Sequence, residues 1–430
     1  MVLIEEVLSD YCIGKTVELK GWVYRKRSVG GKIFIVLRDS SGIIQCVIDK
    51  GTVDHESWRS AEKITRESSC IVEGTVRKEP RAPGGYEIKV SKFRTVGLSE
   101  WFPIKGTEGV DFLLDHRHLW IRARKMQAIM KIKHTVLEAS REYFTRNGWW
   151  EVTPPILTGS ACESGATQFE VNYFGQKAYL SQSAQLYLEA LIYSLDKVWS
   201  LTPSFRAEKS RTRRHLAEYW HLEAEAAWYD MEDMMKVTEE LVSYIVSKVL
   251  EEREEELKLL KRNVKPLEMA LETPYPRIRY DEAIDILQKK GVKISWGEDL
   301  GADEERVLTE EFEKPFFVTH FPKEIKAFYM KLDPKDSRIV LGFDMLAPEG
   351  YGEIIGGSVR EDDYETLYKR ILEVGLSPKE YEWYLDLRKY GSVPHSGFGL
   401  GIERTVMWVA GLEHIRDAIP FPRFRERIYP

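Results

Sequence analysis

Phe205-Arg206-Ala207-Glu208-Lys209-Ser210-Arg211-Thr212-Arg213-Arg214-His215-Leu216-Ala217-Glu218-Tyr219 packs four arginines, a lysine and a histidine into fifteen residues. Apolar stretches flank it on both sides, so it reads as the loop of a hairpin. Such a hairpin, carrying Arg206, Arg214 and His215, can neutralise a triphosphate, because the planar guanidinium fork matches phosphate oxygens. A basic run by itself is more often solvated surface. Its meaning therefore depends on what accompanies it.

Two further stretches accompany it downstream. Gly397-Phe398-Gly399-Leu400-Gly401-Ile402-Glu403-Arg404 alternates three glycines up to a helix start, with Arg404 in the first turn. Glycines there let a ligand approach the backbone, and the arginine can reach a phosphate or stack on a base. The spacing is neither a dinucleotide fingerprint nor a P-loop. Between the two lies Asp344-Met345-Leu346-Ala347-Pro348-Glu349-Gly350-Tyr351-Gly352-Glu353-Ile354-Ile355-Gly356-Gly357-Ser358-Val359-Arg360. Asp344 and Glu353 are candidate oxygen ligands for magnesium, which works through one or two carboxylates plus substrate phosphates.

Upstream the character differs. Thr16 to Arg27 alternates apolar and polar residues, and Val29-Gly30-Gly31-Lys32 turns the chain into Ile33 to Leu37. Asp39-Ser40-Ser41-Gly42 leads into Ile43 to Ile48, and Cys70 to Lys78 and Tyr86 to Val90 bracket a Pro-Gly-Gly turn. Five such strands predict a small barrel, of OB-fold or SH3-like type. The chain then divides into a barrel at 1–97, a connecting stretch at 98–122 and a large mixed α/β region at 123–430. Met126 to Asn147 has helical periodicity and stops at Asn147-Gly148. Glu232 to Arg262 reads as one long solvated helix.

Composition sets the class. With 430 residues, two or three domains are expected, and 43% hydrophobic content is enough to build their cores. Cysteines 12, 46, 70 and 162 show no C-x-x-C pairing, which fits a reducing cytoplasm better than zinc or disulfides. The acidic N-terminus MVLIEEVLSD and the lack of a long apolar run predict a soluble protein without a membrane partner. The net charge of -6 averages over local basic patches, including Arg25, Lys26 and Arg27.

The three stretches, in this order, resemble motifs 2 and 3 of the class II aminoacyl-tRNA synthetases with the acidic strand between them. Gly148-Trp149-Trp150-Glu151-Val152-Thr153-Pro154-Pro155-Ile156-Leu157 is similar to motif 1. A barrel in front narrows the resemblance to the subclass that loads aspartate, asparagine or lysine. The resemblance implies an OB-fold followed by a catalytic domain on an antiparallel sheet flanked by helices, a homodimer formed through motif 1, and tRNA, ATP and Mg2+ as partners.

Residue roles follow from the same resemblance. Arg206 would bridge the α-phosphate and the substrate carboxylate, and Arg214 and His215 would hold the outer phosphates. Tyr219 and Arg404 would sandwich the adenine, with Glu208 on its edge and Leu216, Gly401, Ile402 and Glu403 completing the nucleotide site. Glu163, Ser183 and Gln185 would meet the substrate's amino group, and Glu353 and Asp344 the metal. In the barrel, Phe34 and Gln45, with Arg27 beside them, would read the anticodon. Aspartyl enzymes often carry a serine three positions after the metal-binding Glu; here it is Gly356, which leaves the ion count open.

The amino acid follows from charge. Aspartyl enzymes have a lysine at the position of Leu188, facing an aspartate at the position of Glu223. Without that lysine, a substrate carboxylate would be repelled by Glu223, whereas an amide would donate to Glu223 and accept from Arg360. This predicts asparagine as substrate and tRNA(Asn) as partner, and the chain as a whole resembles the archaeal type of asparaginyl-tRNA synthetase. The competing readings are an aspartyl enzyme, possibly a non-discriminating one, an ammonia-dependent asparagine synthetase on the same fold, and a non-catalytic nucleic-acid binder.

Overall fold

The computed structural model describes residues 2–159, 168–208 and 212–430, and the chain divides into two compact units, Met1–Leu114 and Asp115–Pro430. The boundary falls inside the connecting stretch, part of which is helical, at Val110–Asp115 and Arg117–Trp120.

The first unit is a closed barrel of five strands, Thr16–Val29, Lys32–Arg38, Ile43–Asp49, Ser69–Lys78 and Tyr86–Gly97. The first strand is long enough to pair with both the second and the fourth, and a parallel pairing of the third with the fifth closes the ring. Alternation sends Leu19, Val23, Ile35, Leu37, Cys46, Ile48, Val72 and Ile88 inward, where each is essentially inaccessible. Asp39 ties the second turn by accepting from the Ser41 and Gly42 amides at 2.8 and 2.9 Å. The helix His55–Lys63 is capped by Asp54, which accepts from Ser57 N–H at 2.8 Å.

The second unit is built on a nine-stranded sheet. Its order is Arg277–Arg279, Phe316–Pro322, Asp336–Ala347, Gly352–Val359, His395–Gly401, Glu218–Ala227, Lys197–Phe205 and Trp150–Glu151, with Leu332–Asp333 paired to the third of these. Pairing is antiparallel except at the two outer edges. The helices Arg124–Arg146, Met231–Glu252 and Ile402–Val409 cover one face, burying Phe144, Trp199, Leu222, Val242, Phe398 and Trp408. The long helix expected at 232–262 is in fact two, Met231–Glu252 and Glu254–Leu260. Arg253 leaves helical geometry at φ -124°, and Glu254, Glu255 and Glu256 then favour a new N-terminus through the helix dipole.

Candidate active site

The cationic stretch is the loop of a hairpin, as its flanks imply. Lys197–Phe205 and Glu218–Ala227 pair up to Phe205 against Glu218, and Arg206 N–H donates to Ala217 C=O at 2.9 Å beyond the last pair. On Glu218–Ala227 the period of two divides the work. Leu222, Ala224 and Ala226 enter the core, and His221, Glu223 and Glu225 face the opposite side. The glycine strand His395–Gly401 lies alongside. A Cβ at Gly399 would sit 2.3 Å from His221 Nε2, and one at Gly397 would sit 1.9 Å from Glu225 Oε2. These glycines therefore make room for neighbouring side chains rather than for a ligand.

A cavity of about 560 Å³ opens over this face, lined by Ser183, Gln185, Leu188, Arg206, Glu223 and Arg360 among others. The Glu223 carboxylate is buried and accepts from the Ser183 hydroxyl and, at 2.8 Å, from the Ala184 amide. Leu188 is fully buried against Ala184, Ile192, Val198 and Ala227. Arg360 is clamped by Glu225 through two bonds of 3.0 Å and donates to Ser358 Oγ at 2.7 Å. Beneath Gln185, which donates to it at 3.0 Å, Glu189 also accepts from Tyr384 and Arg388 at 2.7 Å and lies 3.0 Å from His395 Nε2. Burial disfavours the ionised Glu189, yet the charges of Arg388, His395 and Arg360 hold it below the usual carboxylate range. Glu163 lies outside the described residues.

A second, narrower cleft shares Arg206, His221, Glu353 and Gly399 with the first, and adds Arg214, His215, Leu216, Tyr219, Gly401, Glu403 and Arg404. Arg206 lies over the Tyr219 ring, 5.5 Å from its centroid. Arg214 donates to Glu305 at 2.6 Å and to Glu353 C=O at 3.2 Å. Burial, with Arg404, Arg206 and Arg214 nearby, pushes the His215 imidazole down to about 4, so at neutral pH it is uncharged. Glu403 borders the cleft, but its carboxylate is engaged by Lys133 and by Trp220 N–H at 2.9 Å. Ile402 is buried in the core at the helix start.

The two candidate metal ligands come from neighbouring strands. Glu353 bonds Arg404 at 2.9 Å through Oε2, and Asp344 bonds Lys326 at 2.6 Å through Oδ2. Their other oxygens converge: a Cβ on Gly356 would lie 3.1 Å from Glu353 Oε1 and 3.4 Å from Asp344 Oδ1. Burial raises Asp344 to about 7, while the combined field of Arg404, Lys326, Arg214 and Arg206 overcomes burial and holds Glu353 at about 2. Two carboxylate oxygens facing one small cradle fit a hard divalent cation.

On the barrel, Arg27 and Phe34 are cross-strand partners, and the guanidinium sits 4.4 Å from the ring centroid. Gln45, one strand over, donates to Glu87 at 2.9 Å.

Known proteins resemble the chain along its length. The tRNA synthetases class II (D, K and N) family matches residues 109–425, and the OB-fold nucleic acid binding domain family matches residues 17–96. The asparagine–tRNA ligase of Thermococcus kodakarensis is 63% identical over 418 residues, covering 97% of this chain and 96% of that protein. The chain belongs to the class II asparaginyl-tRNA synthetases. The asparagine–tRNA ligase of Thermoplasma acidophilum is 50% identical over 430 residues, the full length of both. The crystal structure of asparaginyl-tRNA synthetase from Pyrococcus horikoshii complexed with asparaginyl-adenylate superposes with a TM-score of 0.97 at 60% identity, covering 100% of this chain and 99% of that one.

For this synthetase, then, the barrel is an OB-fold and the sheet is the class II catalytic platform. Charged residues at or beneath the site that go beyond the expected set include Glu189, Glu225, Glu305 and Lys326. Glu225 was within reach of sequence, since it continues the alternation that begins at His221. The other three show no local pattern that sets them apart from surface charges.

Proposed function

We propose that the protein attaches L-asparagine to tRNA(Asn) at the expense of ATP, through an asparaginyl-adenylate. The observation that carries the choice of amino acid is the pairing of Glu223, held by Ser183 and Ala184, with the apolar Leu188. A substrate carboxylate placed there would face an anion with no cation at Leu188 to offset it, and an amide would find an acceptor.

In the first step, the asparagine carboxylate attacks the α-phosphate of ATP and pyrophosphate leaves. Arg206 lines both the amino-acid cavity and the nucleotide cleft, so it can bind charge on both reacting partners. Arg214 and Arg404 supply further cations, and neutral His215 a hydrogen bond. Asp344 and Glu353 would hold Mg2+, which neutralises phosphate charge when bound. In the second step, a hydroxyl of the terminal adenosine attacks the activated carbonyl and AMP leaves. Positioning and charge stabilisation suffice, with no side-chain nucleophile.

Phe34, Arg27 and Gln45 read the anticodon in this account, by stacking and edge contacts. Motif 1, around Gly148 to Leu157, forms a homodimer interface, and the enzyme works in the cytoplasm. Pyrophosphate exchange with asparagine and aspartate side by side, with Mg2+ present, tests the reading. Exchange with asparagine alone is expected. Equal exchange with aspartate would overturn the role given to Leu188 and Glu223.

A further inference from the structure

Three acidic side chains around the metal cradle are each paired with a cation. Glu305 is paired with Arg214, Asp344 with Lys326 and Glu353 with Arg404, so the three pairs sum to zero charge. Two of these cations, Arg214 and Arg404, also border the nucleotide cleft, where phosphates would compete for them. Lys326 differs. It lines the amino-acid cavity rather than that cleft, and its ammonium is 2.6 Å from Asp344 Oδ2 and 3.8 Å from the Phe321 ring centroid. Its field reaches Glu353 and Asp299 as well.

We propose that Lys326 is the internal counter-ion that makes divalent-cation binding at Asp344 and Glu353 depend on nucleotide. This rests on the reading of those two carboxylates as the metal ligands. The cradle over Gly356 has two oxygens beside it, and the three ion pairs around it carry no net charge between them. A bare divalent ion entering it would approach Lys326 and Arg404 at close range while gaining only the oxygens those cations leave uncovered. ATP changes the balance by bringing several negative charges, which draw Arg404 and Arg214 and supply the remaining oxygen ligands. Lys326 stays on Asp344 throughout, so the site has high affinity for a metal–nucleotide complex and low affinity for the free metal. An enzyme built this way does not trap free Mg2+ in an unproductive state before ATP arrives.

The test is Mn2+ binding to the full-length protein, followed by the loss of the free-ion electron paramagnetic resonance signal. Without nucleotide, Lys326→Met should bind one Mn2+ at least about tenfold more tightly than the wild type, because a unit positive charge a few Å away has gone. Lys326→Arg, which keeps the charge, should bind like the wild type. Adding Asp344→Asn to Lys326→Met should abolish the gain. Equal affinity of wild type and Lys326→Met, or a gain that survives Asp344→Asn, would overturn the proposal. The underlying reading is checked separately with ATP present. Glu353→Gln should weaken formation of the protein–Mn2+–ATP complex, measured by water proton relaxation, and unchanged binding there would overturn the metal assignment itself.

Discussion

The Ala184 amide donates to the Glu223 carboxylate at 2.8 Å, which ties that acid to the head of the helix Gln185–Leu195 on which Leu188 is buried. With the Ser183 hydroxyl on its other oxygen, Glu223 is fixed as a charged acceptor facing the cavity. Replacing it by Gln keeps the shape and removes the charge. Glu223→Gln should lower kcat/KM for asparagine in pyrophosphate exchange about 10- to 100-fold, the cost of losing a charge-assisted hydrogen bond. The preference over aspartate should shrink with it, since the repulsion is gone. An unchanged ratio of the two amino acids would mean that Glu223 does not select between them.

Arg206 stands where the two cavities meet, with its guanidinium over Tyr219. Lysine there would keep the charge and lose both the fork and the stacking. Arg206→Lys should reduce kcat for pyrophosphate exchange about 10²- to 10³-fold, as loss of a preorganised donor to the reacting group does. KM for asparagine should move much less, and the circular dichroism spectrum should not change. A defect confined to KM would reassign Arg206 to ground-state binding.

How much of this was legible beforehand depended on how unusual each stretch is. The loop after Phe205 and the strand before Arg404 stand out only when taken together and in order, and Arg206, Arg214, His215 and Leu216 from the one and Gly399 and Gly401 from the other line the cleft. The five barrel strands were marked by alternation and by turns such as Asp39 to Gly42, although the fifth runs on to Gly97. Lys326 could not be found that way. It sits in Phe321-Pro322-Lys323-Glu324-Ile325-Lys326, where nothing distinguishes it from Lys323. It is placed there only because the strand Phe316–Pro322 pairs with Asp336–Ala347 and brings the following segment over Asp344. Glu305 is hidden likewise beside Asp303 and Glu304, in the acidic first turn of the helix Ala302–Thr309. Charges gathered by long-range pairing leave no local periodicity to read.

The barrel predicts a separation of the two half-reactions. Phe34 is half-buried, with Arg27 stacked over it and Gln45 beyond. Loss of a base-stacking aromatic costs about 1–3 kcal/mol. Phe34→Ala should therefore raise KM for tRNA about 5- to 150-fold in the aminoacylation assay and leave pyrophosphate exchange intact. Loss of both activities would show that Phe34 holds the barrel together instead of reading RNA.

Two imidazoles predict how stability responds to acid. His414 caps the short helix Ile415–Ala418, its Nδ1 accepting from Arg416 N–H at 3.2 Å, a role open only to an unprotonated nitrogen. Burial, reinforced by Arg416 and Arg213 against the weaker opposite effect of Asp417, pushes it from 6.5 down to about 4. His215 falls to about 4 as well, chiefly through burial and Arg404. Both folded values lie below the unfolded one, so between them the unfolded chain binds more protons. The stability that the neutral rings contribute is complete above about pH 6.5 and is lost progressively as the pH falls towards about 4. Carboxylates also titrate over the lower part of this window, so the comparison must be made against a variant. His414→Asn keeps a capping acceptor and cannot be protonated. Thermal melts at pH 7.5, 6 and 5 should show Tm falling less steeply for His414→Asn than for the wild type. Parallel slopes would mean that His414 gains its proton as readily in the folded chain as in the unfolded one.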